Sequence, residues 1–192
     1  METGEWNERY RSGERAAEDL EAAPTPLLLE TVRRLKPGRA LDLACGAGRN
    51  ALWLAEHGWN VTAVDAAEAA IEILRHRAAA RGVAVDARVA DLEKGEFDIG
   101  SSSWDLIAIC YYLQRNLVEP AKQGVVPGGL LLVIVHITDP GEEPTAHRLR
   151  PGELKNYFDG WEILHHYEGK PRDAGHQRSV AEVVARRPTS HR

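Results

Sequence analysis

Gly46 and Gly48 stand two residues apart in the run Leu41-Asp42-Leu43-Ala44-Cys45-Gly46-Ala47-Gly48-Arg49-Asn50. Apolar residues precede the glycines and helix formers follow, the pattern of a buried strand that turns tightly into a helix. Glycine permits positive φ and lets a ligand approach the backbone closely. The helix N-terminus beyond offers unsatisfied N–H groups and a partial positive charge, so the turn suits a ligand carrying an anionic group. Three carboxylates accompany it at successive strand ends: Asp42 before the turn, Asp65 after the next strand, and Asp91, followed by Leu92, after the third.

Two cofactors compete for this constellation. Gly46-Ala47-Gly48-Arg49-Asn50-Ala51 satisfies the dinucleotide fingerprint G-x-G-x-x-G/A, and Asp65 suits ribose hydroxyls in either case. A carboxylate at Asp42 repels a pyrophosphate, whereas S-adenosylmethionine (SAM) brings an ammonium and a sulfonium to such a loop. Asp91 suits the adenine amino group, and the Leu92 N–H a ring nitrogen. SAM is therefore the expected cofactor. Asp42, Ala44, Cys45, Gly46, Gly48, Arg49, Asn50, Asp65, Ala66, Asp91 and Leu92 are its expected contacts. Taken singly, Asp65 also suits a helix N-cap and Asp91 a turn. A dinucleotide-dependent oxidoreductase and a SAM-binding protein without turnover stay open as alternatives.

The elements that must position these residues follow from periodicity and punctuation. Strands are expected at 40–44, 59–64, 83–89, 104–110, 130–137, 161–168 and 179–186. Helices are expected at 27–35, 49–57, 66–81, 113–123 and 153–158, and residues 1–22 are charged and helix-prone. Pro127-Gly128-Gly129 reads as a turn before the fifth strand. Strands alternating with helices imply right-handed βαβ units, and two closing strands without a helix imply an antiparallel hairpin. The expected fold is α/β: a Rossmann-like, seven-stranded, mostly parallel sheet with helices on both faces and an antiparallel C-terminal hairpin. The chain of 192 residues reads as one domain, with 1–38 an N-terminal helical cap. The polar stretch 138–151 follows the fifth strand and reads as a substrate-side loop.

Composition narrows the partners. A net charge of -5 argues against a nucleic-acid footprint, and 28% charged residues argue against a membrane protein. The apolar run Leu130 to Val135 is too short to span a bilayer, and the polar start has no signal-peptide stretch. Two cysteines, Cys45 and Cys110, make no disulfide framework. A cytoplasmic protein with a small-molecule substrate and no membrane partner is expected. No metal site is expected: His165 and His166 are adjacent on a strand and point to opposite sides.

Longer motifs add a resemblance. Trp6-Asn7-Glu8-Arg9-Tyr10, Leu41 to Asn50, Tyr111-Tyr112-Leu113-Gln114-Arg115, Pro127-Gly128-Gly129 and Leu149-Arg150-Pro151-Gly152-Glu153-Leu154 run over most of the chain. Together they resemble class I SAM-dependent methyltransferases, in particular the tellurite-resistance and thiopurine-type branch. The resemblance implies methyl transfer to a small, soft nucleophile such as a thiol, a thiopurine, or a selenium or tellurium compound, with S-adenosylhomocysteine as product. Trp6 and Tyr10 are then candidates to cover the cofactor or simply to dock the N-terminal helix, and Cys110 and Tyr111 to line the cofactor. Tyr111, His136 and Arg172 are the candidates for positioning the acceptor. His136 has a neutral-range pKa suited to a base, and it equally suits a buried core position. Arg148, Arg150, Arg172, His147 and His176 lie in loops where they can border the substrate. SAM arrives activated, so no catalytic triad is required.

Overall fold

The computed structural model describes residues 3–13, 23–139, 141–143 and 145–189. The helix-prone stretch 14–22 and two prolines of the 138–151 loop, Pro140 and Pro144, lie outside the described residues. The strands form one seven-stranded sheet, as the alternation of strands and helices implies. The chain divides into two compact units, Met1–Asp98 and Ile99–Arg192.

The first unit contains α1 (Thr3–Arg11), α2 (Pro26–Val32), β1 (Arg39–Leu43), α3 (Arg49–Glu56), β2 (Asn60–Asp65), α4 (Glu68–Arg81) and β3 (Val85–Val89). β1 pairs in parallel with β2, and β2 with β3. Ala40, Leu41, Leu43, Val61, Ala63 and Val64 are all buried, because a central parallel strand is covered on both faces. α4 buries Ala70, Ile71, Leu74 and Ala78 along one stripe and stops at Gly82, whose φ of 67° and N–H bond to Ala78 form a left-handed cap. It begins at Glu68 rather than Ala66, because Asp65 holds the preceding turn. α1 packs on α4: Tyr10 is buried among Ala47, Ala67, Ala69 and Ala70, and Trp6 leans on the same cluster. Asn7 Oδ1 accepts the Ala69 N–H at 3.0 Å, satisfying a first-turn donor of α4.

The second unit contains β4 (Trp104–Cys110), a 3-10 turn (Arg115–Leu117), α5 (Val118–Gly124), β5 (Val125–His136), α6 (Glu153–Asn156), β6 (Glu162–Gly169) and β7 (Val180–Arg186). β4 and β5 are parallel, whereas β7 is antiparallel to both β5 and β6, which gives the expected hairpin. A local expectation changes here as well. Pro127-Gly128-Gly129 is not a turn before β5 but an irregularity inside it, where the register jumps from Trp104↔Val125 to Leu106↔Leu130. A Cβ at Gly129 would lie 2.9 Å from the Asp105 carbonyl oxygen and 2.8 Å from Val125, so only glycine fits this close approach.

Candidate functional site

In the first unit the loop after β1 is held from every side. Ala44, Gly46 and Gly48 have φ of 55°, 55° and 81°. Positive φ at alanine is uncommon, and it reverses the chain at the strand's carboxyl end. The Cys45 N–H donates to the Val64 carbonyl at 3.0 Å, extending the β1–β2 ladder one residue past the strand. The N–H of Gly46 donates to Asp65 Oδ2, and the N–H of Ala67 to Asp65 Oδ1, both at 2.8 Å. Asp65 thus fastens the glycine loop and the turn into α4 at once. Arg77, nearly buried on α4, donates from Nη1 to the Ala47 carbonyl at 2.9 Å. Leu74 fills the space beside Gly48, where a Cβ would come within 2.3 Å of its methyl carbon.

Beneath the loop lies Asp42, 2% exposed. One carboxylate oxygen accepts the Ala51 backbone N–H, and Oδ2 has no hydrogen-bond partner among the described residues. Burial pushes the carboxyl up to about 7; Arg49 pulls the other way, and Asp65 adds to the rise. At neutral pH Asp42 is therefore poised between its two protonation states. The expectation that it repels a pyrophosphate as a fixed anion is softened accordingly. A ligand that brings a cation to the loop restores the charge.

Arg49 and Asn50 have protein partners that spacing alone does not reveal. Arg49 Nη1 donates to the Ala23 carbonyl at 3.1 Å, and Asn50 Oδ1 accepts the Thr25 N–H at 2.9 Å. Both tie the segment before α2 to the start of α3. Ala66 is half-buried between Asp65 and α4. Asp91 closes a turn: Oδ1 accepts the Glu93 N–H at 3.0 Å, and Lys94 pairs with Oδ2 at 2.9 Å. These contacts, the hydrogen bond from Lys94 foremost, hold its carboxyl below the usual carboxylate range. Leu92 beside it is buried. Thus Trp6, Tyr10, Asp42, Ala44 to Asn50, Asp65, Ala66, Asp91 and Leu92 all belong to the first unit.

Cys110, Tyr111, His136 and Arg172 belong to the second unit. Half-buried Cys110 ends β4, and Tyr111 follows it with a φ of 61°. The Tyr111 hydroxyl donates to Asp173 Oδ2 at 3.2 Å, and its ring stacks on His176 with centroids 3.4 Å apart and planes 6° apart. His136, the last residue of β5, has its ring centroid 5.6 Å from that of Tyr111 and 5.4 Å from that of His176. Its Nδ1 is buried without a hydrogen-bond partner among the described residues. Burial, above all, lowers its pKa below the usual imidazole value. Arg172 stands apart from this trio, with Nη2 3.8 Å from Oε2 of buried Glu182. The same oxygen lies 2.9 Å from His165 Nε2, so tertiary pairing supplies the carboxylate partner that His165 lacks in sequence. Sequence reading missed Asp173, Glu182 and Arg77, because each finds its partner only through the fold.

The loop 138–151 is folded back on the end of β5. Leu149 is fully buried and donates its N–H to the His136 carbonyl at 3.1 Å, and Thr138 donates to the Leu149 carbonyl at 2.9 Å. Glu142 pairs with Arg148 and, at 2.8 Å, with Arg178. Arg115 joins two of the motif segments: Nε binds Glu153 Oε1 at 3.0 Å, while Nη1 and Nη2 donate to the carbonyls of Ala146 and Arg148 at 3.0 and 3.1 Å. Among the described residues no group of three or more His, Cys, Asp or Glu side chains is placed to hold a metal ion. No helix among them is long and apolar enough to cross a membrane.

The family model described as tellurite resistance protein TehB matches residues 21–177. The chain belongs to the TehB family. It is 26% identical over 151 residues to a probable SAM-dependent methyltransferase, TehB of Haemophilus influenzae, covering 73% of this chain and 52% of that protein. The crystal structure of TehB from Haemophilus influenzae superposes with a TM-score of 0.71 at 24% identity, over 83% of this chain and 61% of the other. The 1,6-didemethyltoxoflavin-N1-methyltransferase of Burkholderia thailandensis, solved with its substrate and S-adenosylhomocysteine, gives a TM-score of 0.73 at 20% identity over 97% of this chain and 87% of the other. A ribosomal RNA small subunit methyltransferase C from Mannheimia succiniciproducens is 31% identical over 150 residues, 73% of this chain and 42% of that protein. The chain spans about half the length of the TehB-family relative it matches. The expected class I methyltransferase family and Rossmann-like fold are thereby borne out.

Proposed function

We propose that this TehB-family chain transfers a methyl group from SAM to a small-molecule acceptor with a soft nucleophilic atom: a thiol, a thiopurine, or a selenium or tellurium compound. The observation that carries the cofactor half is the orphaned, buried oxygen of Asp42 under a loop clamped by Asp65 and Arg77. A buried carboxylate oxygen without a partner is costly unless a ligand supplies the missing charge or donor. SAM suits it better than a dinucleotide does, because SAM carries cationic groups where a dinucleotide carries a pyrophosphate. SAM supplies a methyl already activated as a sulfonium. This chain's residues need then bind, orient and exclude water, and such positioning contributes about 7–11 kcal/mol to lowering a barrier.

Within this reading the whole chain acts as one methyltransferase domain, residues 1–38 as its cap and 138–151 as the substrate-side loop. Trp6 and Tyr10 shelter the cofactor, Asp65 takes the ribose and Asp91 the adenine amino group. Tyr111, His136 and Arg172 serve the acceptor. A net charge of -5 supports a small-molecule acceptor over a nucleic acid. Cys45 and Cys110, which form no disulfide, suit a reducing compartment such as the cytoplasm. The test is a calorimetric titration of the purified chain with SAM, S-adenosylhomocysteine and NAD in parallel. Binding of both adenosyl ligands and not of NAD is expected. Binding of NAD alone overturns the reading, and SAM binding without turnover on any acceptor leaves a non-catalytic binder.

A further inference from the structure

His136 is a half-buried group whose role the methyl donor does not explain. Its Nδ1 has no hydrogen-bond partner among the described residues, while the ring bonds to the Ser179 and Arg178 backbone. That bonding favours a proton on Nε2 and leaves the Nδ1 lone pair as the acceptor. The groups around the ring come from three places. Tyr111 comes from the end of β4, His176 and Arg178 from the loop 170–178, and Arg148 from the loop 138–151. Burial foremost, with Arg178 and Arg148 adding to it, keeps the imidazole neutral near neutral pH.

Three guanidinium groups of this unit are engaged: Arg148 and Arg178 pair with Glu142, and Arg172 with Glu182. An inorganic oxyanion bound by any of these three must compete with a carboxylate for its counter-charge. A neutral, protonated acceptor need not. The side chain nearest to such an acceptor in shape is already present: the His176 imidazole, a planar heteroaromatic ring stacked on Tyr111 at 3.4 Å.

We propose that the His176 ring stands in a subsite for a planar heteroaromatic acceptor bearing an ionisable X–H group, and that such an acceptor displaces His176, stacks on Tyr111 and gives its proton to His136 Nδ1. The inference rests on the methyltransferase reading and narrows its substrate class. In the transfer, the X–H bond breaks, its proton going to Nδ1 and its electron pair staying on X. That pair forms the X–CH3 bond while the S–CH3 bond breaks, and the second pair stays on sulfur as neutral S-adenosylhomocysteine. The imidazolium then releases its proton to water.

The first arm of the test needs no SAM. The purified chain is titrated with the planar probe 2-mercaptobenzimidazole by calorimetry. The parent is expected to bind it. Tyr111→Asn, which tolerates the positive φ but removes the ring, weakens binding about tenfold. His176→Ala tightens binding by removing the competing ring. No binding to the parent, or a weakened His176→Ala with an unchanged Tyr111→Asn, overturns the proposal. The second arm follows S-adenosylhomocysteine formation against pH. His136→Gln is expected to be about a hundredfold slower at neutral pH. It recovers above the probe's own pKa, where the nucleophile is already ionised. An equal loss at every pH overturns the base role. Turnover with tellurite or selenite but not with the probe overturns this inference and leaves the methyltransferase reading intact. Failure to bind SAM overturns that reading, while the probe titration still decides whether the ring shelf exists.

Discussion

Replacing Asp42 with asparagine tests the electrostatics of the glycine loop directly. The native carboxyl is raised from 3.8 to about 7, chiefly by burial. A raised acid pKa means that, between these values, the folded chain holds a proton the unfolded chain has released. Stability therefore falls as pH rises through that window and levels off above it. From pH 5 to pH 8 the unfolded carboxyl is ionised almost throughout, whereas the native one ionises only near the top. The unmatched proton corresponds to roughly two pH units, or about 2.5 kcal/mol. Asparagine keeps the shape and the acceptor for the Ala51 N–H, and it cannot ionise. Its fixed cost, an amide where Oδ2 now sits, cancels when one variant is compared at two pH values. Urea unfolding of parent and Asp42→Asn at pH 5 and pH 8 should then show the variant gaining about 2.5 kcal/mol relative to the parent at the higher pH. A difference constant to within about 0.5 kcal/mol would refute the reasoning. On the proposed function the same carboxyl also governs the ligand: below about 7 a cationic cofactor must first expel the proton. Parent affinity for SAM should fall toward acid pH, and the variant's should not.

Other residues of the structure carry their own tests. Gly48→Ala combines a φ of 81° with a Cβ 2.3 Å from Leu74, so it should cost about 2–4 kcal/mol in denaturant unfolding; a loss below about 0.5 kcal/mol would show that the loop relaxes freely. Asp65→Ala leaves the N–H groups of Gly46 and Ala67 without their carboxylate. It should lower stability and weaken SAM binding by about 1–3 kcal/mol each; unchanged affinity in a folded variant removes Asp65 from the site. Glu142→Ala releases Arg148 and Arg178 from their shared partner and should raise the rate of limited proteolysis within residues 139–148. Equal cleavage rates would show that Leu149 and Arg115 alone hold that loop.

Sequence by itself determined the strand–loop–helix unit around Gly46 and Gly48, the alternation of elements and the closing hairpin. Each of these is written in local signals: a run of apolar residues, a glycine stop such as Gly82, a period of two or of 3.6. Asp42, Asp65 and Asp91 were legible as a set because each sits within a residue or two of a strand end. What those carboxylates do was not legible. Asp42 becomes a buried acid poised between its two protonation states only when its surroundings close over it, and desolvation is a property of the packed molecule. Asp65 becomes a clamp through a bond to a residue 19 positions away. Arg49 and Asn50 have the residue types of a ligand loop, yet they spend hydrogen bonds on Ala23 and Thr25. The cluster of Tyr111, His136, Asp173 and His176 is assembled from the end of β4, β5 and the loop before β7, with Tyr111 and Asp173 62 positions apart. No window along the chain contains it. Stacking and hydrogen bonding act over a few ångströms of space, and only the tertiary fold decides which distant side chains come within that range.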